Sequence, residues 1–148
     1  MTVTIQKIEK EDLAVWTALR KEHWPYHDDL DFLRKEAEEI LDDPNADAFF
    51  AFYDGELAGF TECAIRSEAP GCQTNNIGYL EGWYVKPAFQ RHGIGRTLVE
   101  TVENWARERG CTEMASDTVP RDFPHSPVAH QSLGYKIVDE KVHFKKML

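Results

Sequence analysis

The segment GYLEGWYVKPAFQRHGIGRTLV, residues 78–99, decides the fold of this chain. Residues 80–85 are apolar apart from Glu81 and one glycine, which is typical of a strand buried on both faces, and Pro87 ends that strand. Residues 90–95 then carry two glycines one residue apart, immediately before an amphipathic helix. Such glycines let backbone N–H groups point toward one anion at the positive end of a helix dipole. The segment therefore predicts a strand, a turn and a helix that bind a phosphate ester, with an ordinary helix N-terminus as the open alternative.

Two better-known glycine loops do not fit this segment. A nucleotide P-loop requires a lysine and then a serine or threonine after its last glycine, and a dinucleotide fingerprint requires a third glycine where Leu98 stands. The remaining pattern, Gln-x-x-Gly-x-Gly between a strand and a helix, resembles the pyrophosphate-binding loop of the GNAT superfamily of N-acetyltransferases. The resemblance implies acetyl-CoA as the acetyl donor and no metal.

The same resemblance implies which residues contact acetyl-CoA. They are Trp83, Tyr84, Val85, Gln90, Arg91, His92, Gly93, Ile94, Gly95, Arg96 and, farther along the chain, Asp122. Asp122 stands where the family usually has an asparagine that touches the CoA arm, and residues 123–125 include one residue more than the family pattern.

Length and composition place the chain among ordinary water-soluble proteins. Its 148 residues fit one acetyltransferase domain, residues 1–148, and 42% of them are hydrophobic, without the run of about 18 to 20 apolar residues that a membrane span needs. The N-terminal residues lack the features of a secretory signal, and the three cysteines suit neither a disulfide framework nor a metal site. We therefore expect reduced thiols, a cytoplasmic location and no membrane partner.

The charge balance favours a cationic partner. The formal net charge is −9, from 26 acidic and 17 basic residues, so nucleic acid would be repelled over most of the surface. Solubility alone is the alternative explanation of this charge.

Hydrophobic periods and turn residues predict the order of the elements. In the first half of the chain we predict a strand at 3–8, a helix capped by Asp12 that ends near residues 23–27, and a helix at 30–41. A hairpin follows, with strands at 48–53 and 57–66 around Asp54-Gly55, and then a loop at 67–76. The second half is predicted to contain the strand at 80–85, a helix from 94 to Gly110, a strand at 111–116, a helix at 126–133, and two last strands around Ile137 and at 142–147. This order is that of the GNAT fold, an α/β (α+β) architecture in which a mixed, mostly antiparallel sheet has helices on both faces.

Further strings throughout the chain resemble one branch of the superfamily, the aminoglycoside 6′-N-acetyltransferases. They include residues 19–27, 80–85, 102–106, 111–117, 130–135 and 142–146. The resemblance implies transfer of an acetyl group to the 6′-amino group of aminoglycoside antibiotics, which gives resistance, and it implies a homodimer.

Two carboxylates are our candidates for catalysis. Acetyl transfer needs an amine without its proton, held against a polarised thioester. Glu81 lies inside an apolar strand, where an unpaired carboxylate is costly, and Asp117 lies at the end of the next strand. We expect both to bind and deprotonate a cationic aminosugar. A structural ion pair for Glu81 and a turn cap for Asp117 are the open alternatives.

The family resemblance adds three substrate contacts and a proton donor. Trp24 and His27 match residues that line the antibiotic pocket, and Asp139 matches a glutamate that reaches the substrate across a dimer. His130 stands four residues before a Gly-Tyr pair, where many GNAT enzymes have a tyrosine that protonates the CoA sulfur, and an imidazole exchanges protons near neutrality. A packed helix end for Trp24, a solvated charge at a strand end for Asp139 and a packed imidazole for His130 are the open alternatives. Residues 67–71 form a shorter loop than in the family and lack its substrate-contacting tyrosine.

Two other functions also fit the sequence. A GNAT enzyme for another amine, such as a polyamine, an amino acid or a protein N-terminus, would carry the same CoA loop. A catalytically silent acyl-CoA-binding module would carry the loop without using the carboxylates.

Overall fold

A five-stranded sheet organises residues 2–148, the part of the chain that this computed structural model describes. Its strands are β1 (Val3–Lys7), β2 (Ala46–Tyr53), β3 (Glu56–Arg66), β4 (Ile77–Val85) and β5 (Glu113–Ser116). They lie side by side in chain order; the first three pairs are antiparallel, and β4 pairs with β5 in parallel. The predicted mixed, mostly antiparallel sheet is confirmed.

The helices cover both faces of this sheet, as predicted. They are α1 (Leu13–His23), α2 (Leu30–Asp42), α3 (Ile94–Glu108) and α4 (Ser126–Ser132), with short 3-10 turns at Lys10–Asp12 and Pro87–Phe89. Trp16 of α1 and Ala37 of α2 pack with Phe50 and Phe60 on one face. On the other face Leu98 of α3 packs against alanines of β2 and β3. Alternation along the strands thus sends successive side chains to opposite helical layers.

The turn between β2 and β3 confirms the Asp-Gly prediction. Asp54 has φ 49° and Gly55 has φ 86°, so both residues adopt the left-handed conformation that a tight two-residue hairpin requires. The register brings Tyr53 opposite Glu56 directly across this turn.

Asp12 does not cap α1 in the way that we predicted. Its Oδ2 accepts a hydrogen bond of 2.9 Å from the backbone N–H of Glu9, at the start of the preceding 3-10 turn. The chain reaches α1 through that turn, so the carboxylate stabilises the turn and makes no side-chain cap at the helix. The start of the helix at Leu13 agrees with the prediction.

The two predicted C-terminal strands are wrong for this single copy. Residues 136–148 form neither strand nor helix, and every one of them is exposed. Val142 is 74% and Phe144 is 93% exposed, although their spacing is that of one face of a strand. An alternating pattern becomes a strand only beside a sheet edge with which it can pair, and this segment, which we call the C-terminal arm, pairs with no strand of residues 2–135.

A buried ion pair joins both helices of one face to the sheet. The guanidinium of Arg20 donates to Glu62 at 2.7 and 3.1 Å, to the carbonyl oxygen of Leu33 at 2.8 Å and to Glu36 at 3.1 Å. Trp16 Nε1 adds a 2.9 Å bond to the same Glu62 carboxylate. The side chains of Arg20 and Glu62 are only 5% and 2% exposed, so this pair lies inside the core.

Arg20→Met should destabilise the protein by about 3 to 5 kcal/mol, because it leaves the Glu62 carboxylate buried without its cation. Urea unfolding measures the change. As a matched control, Arg34→Met removes an arginine that pairs with carboxylates on the surface of α2, and it should cost at most about 1 kcal/mol. Adding Glu62→Leu to Arg20→Met should recover much of the loss. Equal costs for Arg20→Met and Arg34→Met would show that the buried pair contributes no more than a surface pair.

Candidate acetyltransferase site

An irregularity in strand pairing sets the position of Glu81. In the register of β3 and β4, Glu62 lies opposite Gly82 and Cys63 lies opposite Leu80. Glu81, between Leu80 and Gly82, therefore has no residue directly opposite it on β3. Bulges of this kind bend a strand and redirect a side chain, and they are common beside active sites. The Glu81 side chain is 27% exposed and therefore reaches solvent from a strand that is otherwise mostly buried.

Arg66, Tyr79 and Asp117 surround Glu81. Arg66 makes a two-pronged ion pair with Glu81, with N···O distances of 2.9 and 2.6 Å. The Arg66 guanidinium carbon lies 3.5 Å from the centre of the Tyr79 ring, and the Tyr79 hydroxyl donates a hydrogen bond to Asp117. The two predicted carboxylates thus come together, with an arginine and a tyrosine between them. Sequence reasoning missed both of these linking residues.

Opposing effects act on the proton affinity of Glu81. Burial raises the pKa of Glu81, the hydrogen bond and charge of Arg66 lower it, and the nearby carboxylates of Asp117 and Glu62 raise it further. The net direction is upward. A carboxylate with a raised pKa is a better proton acceptor, which is the property that a general base for an ammonium group needs.

A cleft of about 390 Å³ opens beside Glu81. It is lined by Arg20, Trp24, His27, Glu36, Glu39, Ile40, Asp43, Ala46, Glu62, Cys63, Ala64 and Glu81. The structure therefore brings the predicted pocket residues Trp24 and His27 to the same cleft as Glu81. Asp117 contacts the group around Glu81 from the neighbouring strand end, whereas Asp139 lies on the exposed C-terminal arm.

The acidic wall of this cleft comes from α2. Glu36, Glu39 and Asp43 stand at spacings of three and four residues, so they share one face of that helix and its end. These carboxylates face Glu81 because α2 packs beside β3. The arrangement suits a ligand with several positive charges.

Trp24 and His27 shape the other end of the cleft. A Cβ atom added at Gly82 would lie 3.2 Å from Trp24 Cη2, so the glycine makes room for the indole. The Arg20 guanidinium lies 4.9 Å from the Trp24 ring, and His27 stacks on Phe32 at 5.7 Å between ring centres. These contacts place aromatic faces next to carboxylates, a combination that binds aminosugar rings and their ammonium groups.

The glycine loop has the backbone shape that an anion requires. Arg91 has φ 68° and Gly93 has φ 77°, and α3 begins at the next residue, Ile94. The first N–H groups of a helix have no partner within it, so those of α3 are available to a phosphate. The side chain of Gln90 ties the loop to the end of β4, because its Nε2 donates a hydrogen bond of 3.2 Å to the carbonyl oxygen of Val85.

Trp83 gives a second reason for a glycine at position 95. Its indole N–H donates to the carbonyl oxygen of Gly95 at 3.0 Å, and a Cβ added there would lie 3.3 Å from Trp83 Cζ2. Gly95 thus serves the close approach of an aromatic ring, whereas Gly93 supplies the left-handed turn.

The other predicted cofactor contacts occupy different surroundings. Tyr84 directs its hydroxyl to Glu22 of α1 at 3.0 Å, so its side chain lies on the face away from α3. His92 packs on the Tyr53 ring at 4.8 Å between ring centres. Arg91 and Arg96 are exposed beside the loop. Asp122 lies in the loop before α4 and pairs with Arg121 at 3.3 Å.

His130 uses both ring nitrogens within the protein. Nδ1 lies 2.8 Å from the carbonyl oxygen of Ser126, and since a carbonyl only accepts, Nδ1 carries the proton there. Nε2 lies 2.8 Å from Ser116 Oγ at the end of β5, and the ring meets Trp83 edge to face at 5.2 Å. The imidazole is therefore oriented at the carboxyl end of β5, and proton donation from it stays a prediction.

The described residues give no support for a metal or a membrane-spanning helix. Within residues 2–148 no group of three or more His, Cys, Asp or Glu side chains has the arrangement of a metal site. No helix in that range is long and apolar enough to cross a bilayer.

Comparison with known proteins defines the class to which this fold and site correspond. The family model described as "Acetyltransferase (GNAT) family" matches residues 13–135. The chain therefore belongs to the GNAT acetyltransferase family, and the predicted fold and acetyltransferase class are confirmed.

Within that family the chain is similar to aminoglycoside N(6′)-acetyltransferases type 1. It is 36% identical to the one from Salmonella enteritidis over 96% of this chain and 97% of the relative, and 38% identical to the one from Klebsiella aerogenes over 97% and 96%. Among solved structures it is similar to AAC(6′)-Iy in complex with the bisubstrate analogue CoA-S-monomethyl-acetylneamine, at 34% identity, a TM-score of 0.87 and full coverage of both chains. AAC(6′)-Ih from Acinetobacter baumannii matches with a TM-score of 0.86, 34% identity and 99% coverage of each chain.

Gly95→Val should weaken CoA binding by about tenfold or more, the effect of losing one hydrogen bond to a charged group. The branched side chain displaces Trp83 and crowds the first turn of α3. Arg91→Ala, at an exposed side chain, should weaken binding less. Titration calorimetry with CoA measures both effects.

A loss of stability alone must be separated from a loss of the binding loop. Val102→Ala removes buried methyl groups from the same helix, two turns away from the loop, and should lower the melting temperature without changing CoA affinity. Parental CoA affinity in the Gly95 variant would show that the phosphates bind elsewhere.

Proposed function

We propose that this protein transfers the acetyl group of acetyl-CoA to the 6′-amino group of aminoglycoside antibiotics and so protects the cell from them. One observation carries the proposal: Glu81 faces an acidic cleft from β4, the strand that leads into the glycine loop. A cationic acceptor and a phosphate-bearing donor would thus meet along one strand. The names of the similar proteins support the choice of acceptor.

The charges of the cleft fit a polycationic acceptor. Glu36, Glu39 and Asp43 lie along the same wall. Among the described residues that line the cleft there is no lysine and one arginine, Arg20, which is already paired with Glu62 and Glu36. Each ammonium group of an aminoglycoside thus finds carboxylates and no free cation in the lining. Trp24 and His27 offer ring faces to the sugar, and Asp117 completes the acidic group next to Glu81.

The chemistry follows from these positions. Glu81 accepts the proton that the 6′-ammonium group must lose, and the free amine attacks the carbonyl carbon of the thioester that acetyl-CoA supplies. Tyr79 holds Asp117, which keeps a second negative charge beside the acceptor. As the carbon–sulfur bond breaks, the attacking nitrogen loses a second proton and the leaving thiolate gains one. His130 relays this proton: with both ring nitrogens protonated, it gives the Nε2 proton, which Ser116 orients, to the sulfur and takes up the proton that the nitrogen releases.

Glu81→Gln should lower kcat/KM for kanamycin or tobramycin by about a hundredfold, the usual effect of losing a positioned base. The amide keeps the shape of the side chain and removes its charge. Release of free CoA thiol, followed with acetyl-CoA and a panel of aminoglycosides, polyamines, amino acids and peptides, measures activity and acceptor class together.

Glu38→Gln is the matched control, because Glu38 lies on the outer surface of α2 beside Arg34 and away from the cleft lining. It should leave kcat/KM unchanged. In the same assay His130→Phe should lower kcat while acetyl-CoA affinity holds. Turnover of polyamines or peptides in place of aminoglycosides would overturn the proposed acceptor, and full activity of Glu81→Gln would remove Glu81 as the base.

We also propose that the protein works as a homodimer. The support is the C-terminal arm, because its apolar side chains, among them Val142 and Phe144, are left exposed by the rest of the described chain. The arm carries four lysines against Asp139 and Glu140, while the whole chain has a net charge of −9, so it suits the acidic surface of a second copy. Covering the arm in this way would also bring Asp139 toward the partner's site.

Sedimentation should give about twice the chain mass of 17.0 kDa. Deleting residues 139–148, which follow the contact of Val138 with Gly71, should yield monomers. Phe144→Asp should weaken the dimer through one exposed position, with Val128→Asp, on the exposed surface of α4, as the control. A full chain that sediments as a monomer at micromolar concentration would contradict the dimer.

The cytoplasm is the compartment that we propose for this activity. Acetyl-CoA is available there, and the free cysteines Cys63, Cys72 and Cys111 suit a reducing compartment.

A further inference from the structure

Arg66 occupies the place beside Glu81 where a substrate cation would bind. It is the last residue of β3, and its guanidinium forms the two-pronged ion pair with Glu81 while lying 3.5 Å from the centre of the Tyr79 ring. Asp117 closes the same group through its hydrogen bond with Tyr79. The carboxylates of Glu81 and Asp117 and the face of the Tyr79 ring thus form a cation site. An ammonium group would bind to the same groups.

We propose that Arg66 is a resident cation that fills the site of the reacting ammonium group in the free protein, and that the aminosugar binds by displacing it. This inference rests on the proposed function and names a positioning residue for that reaction. Arg66 donates to both oxygens of Glu81, at 2.9 and 2.6 Å, so an ammonium group that binds between Glu81 and the Tyr79 ring must displace the guanidinium.

The position of Arg66 allows this displacement. Its side chain is 43% exposed, and it joins β3 to the loop of residues 67–76. The guanidinium can therefore turn into solvent without breaking the core of the sheet. Arg20, by contrast, is 5% exposed and tied to both helices, so it cannot move in the same way.

Displacement of Arg66 also prepares the base. The charged groups that act on Glu81 are Arg66 and Glu62 from β3 and Asp117 from the end of β5, and Arg66 is the one that lowers the pKa of Glu81. When the ammonium group replaces the guanidinium, one positive charge takes the place of another, but the ammonium group can give a proton to Glu81 and a guanidinium cannot. Burial and the two carboxylates then favour the protonated form of Glu81.

Binding of two antibiotics that differ at one group tests the proposal. Neomycin carries a 6′-amine and paromomycin a 6′-hydroxyl, so only neomycin brings a cation to the Glu81 site. Calorimetry in the presence of CoA, which gives no product, is carried out on the parent protein, on Arg66→Met and on Arg34→Met. The methionine keeps most of the aliphatic length of the arginine and removes its charge.

Arg66→Met should bind neomycin about tenfold more tightly than the parent, as expected where the site is free in about one tenth of the molecules. Its affinity for paromomycin should stay within about twofold of the parental value, because no ammonium competes there. Arg34→Met, at a half-exposed and ion-paired arginine on α2, should change neither affinity and thus controls for the overall charge. Arg66→Lys should fall between Arg66→Met and the parent, because its single ammonium cannot form the two-pronged pair.

Unchanged or weaker neomycin binding by a folded Arg66→Met protein would overturn the inference and leave the proposed function standing. Weaker binding of both antibiotics would make Arg66 a direct substrate contact. A melting curve establishes folding, and if Arg66→Met is unfolded the same comparison with Arg66→Lys decides, since parental neomycin affinity in that variant contradicts competition. Failure of the parent to bind either antibiotic would overturn the proposed function and the inference together.

Discussion

The buried ion pair between Arg20 and Glu62 is the constraint on which the rest of this structure depends. Arg20 belongs to α1, bonds to the backbone and to Glu36 of α2, and meets Glu62 of β3, so one guanidinium fixes three elements. The cleft exists because α2 is held beside β3 at this point. A pair of this kind adds little net stability over an apolar core, but losing one partner is costly, so it strongly disfavours other packings of these helices.

The same pair distinguishes a structural carboxylate, Glu62, from the carboxylate proposed for catalysis, Glu81. Glu62 and Glu81 both interrupt apolar strands, where a buried carboxylate is costly unless it is paired. Glu62 is satisfied by Arg20 and Trp16 inside the core, whereas the irregular pairing opposite Glu62 leaves Glu81 at the edge of the cleft. Its partner Arg66 is half-exposed and therefore exchangeable. Burial of the counter-ion, rather than of the carboxylate alone, distinguishes the two roles.

The proposed acetyl-CoA loop depends on local backbone geometry, whereas the proposed acceptor cleft depends on tertiary packing. Left-handed conformations at Arg91 and Gly93 and the start of α3 at Ile94 follow within a few residues of one another. The acceptor cleft instead collects side chains from α1, α2, β3 and β4. β4 connects the two, because it carries Glu81 and leads into the loop.

The sequence by itself determined the elements that short-range chemistry controls. The Asp54-Gly55 hairpin, the strand that ends before Pro87, the glycine loop and the amphipathic α3 all follow from residues close together in the chain, and Glu81 stands out there as a costly charge. Tertiary structure alone decided that Glu62 is paired, that Arg66 and Tyr79 link Glu81 to Asp117, and that α2 turns carboxylates toward the cleft. It also overturned the strands at Ile137 and 142–147, since an alternating pattern does not specify the edge that must pair with it. The alternation of apolar residues shows which face of an element is apolar, whereas the partner of a charge or of a strand edge is set by residues distant in sequence.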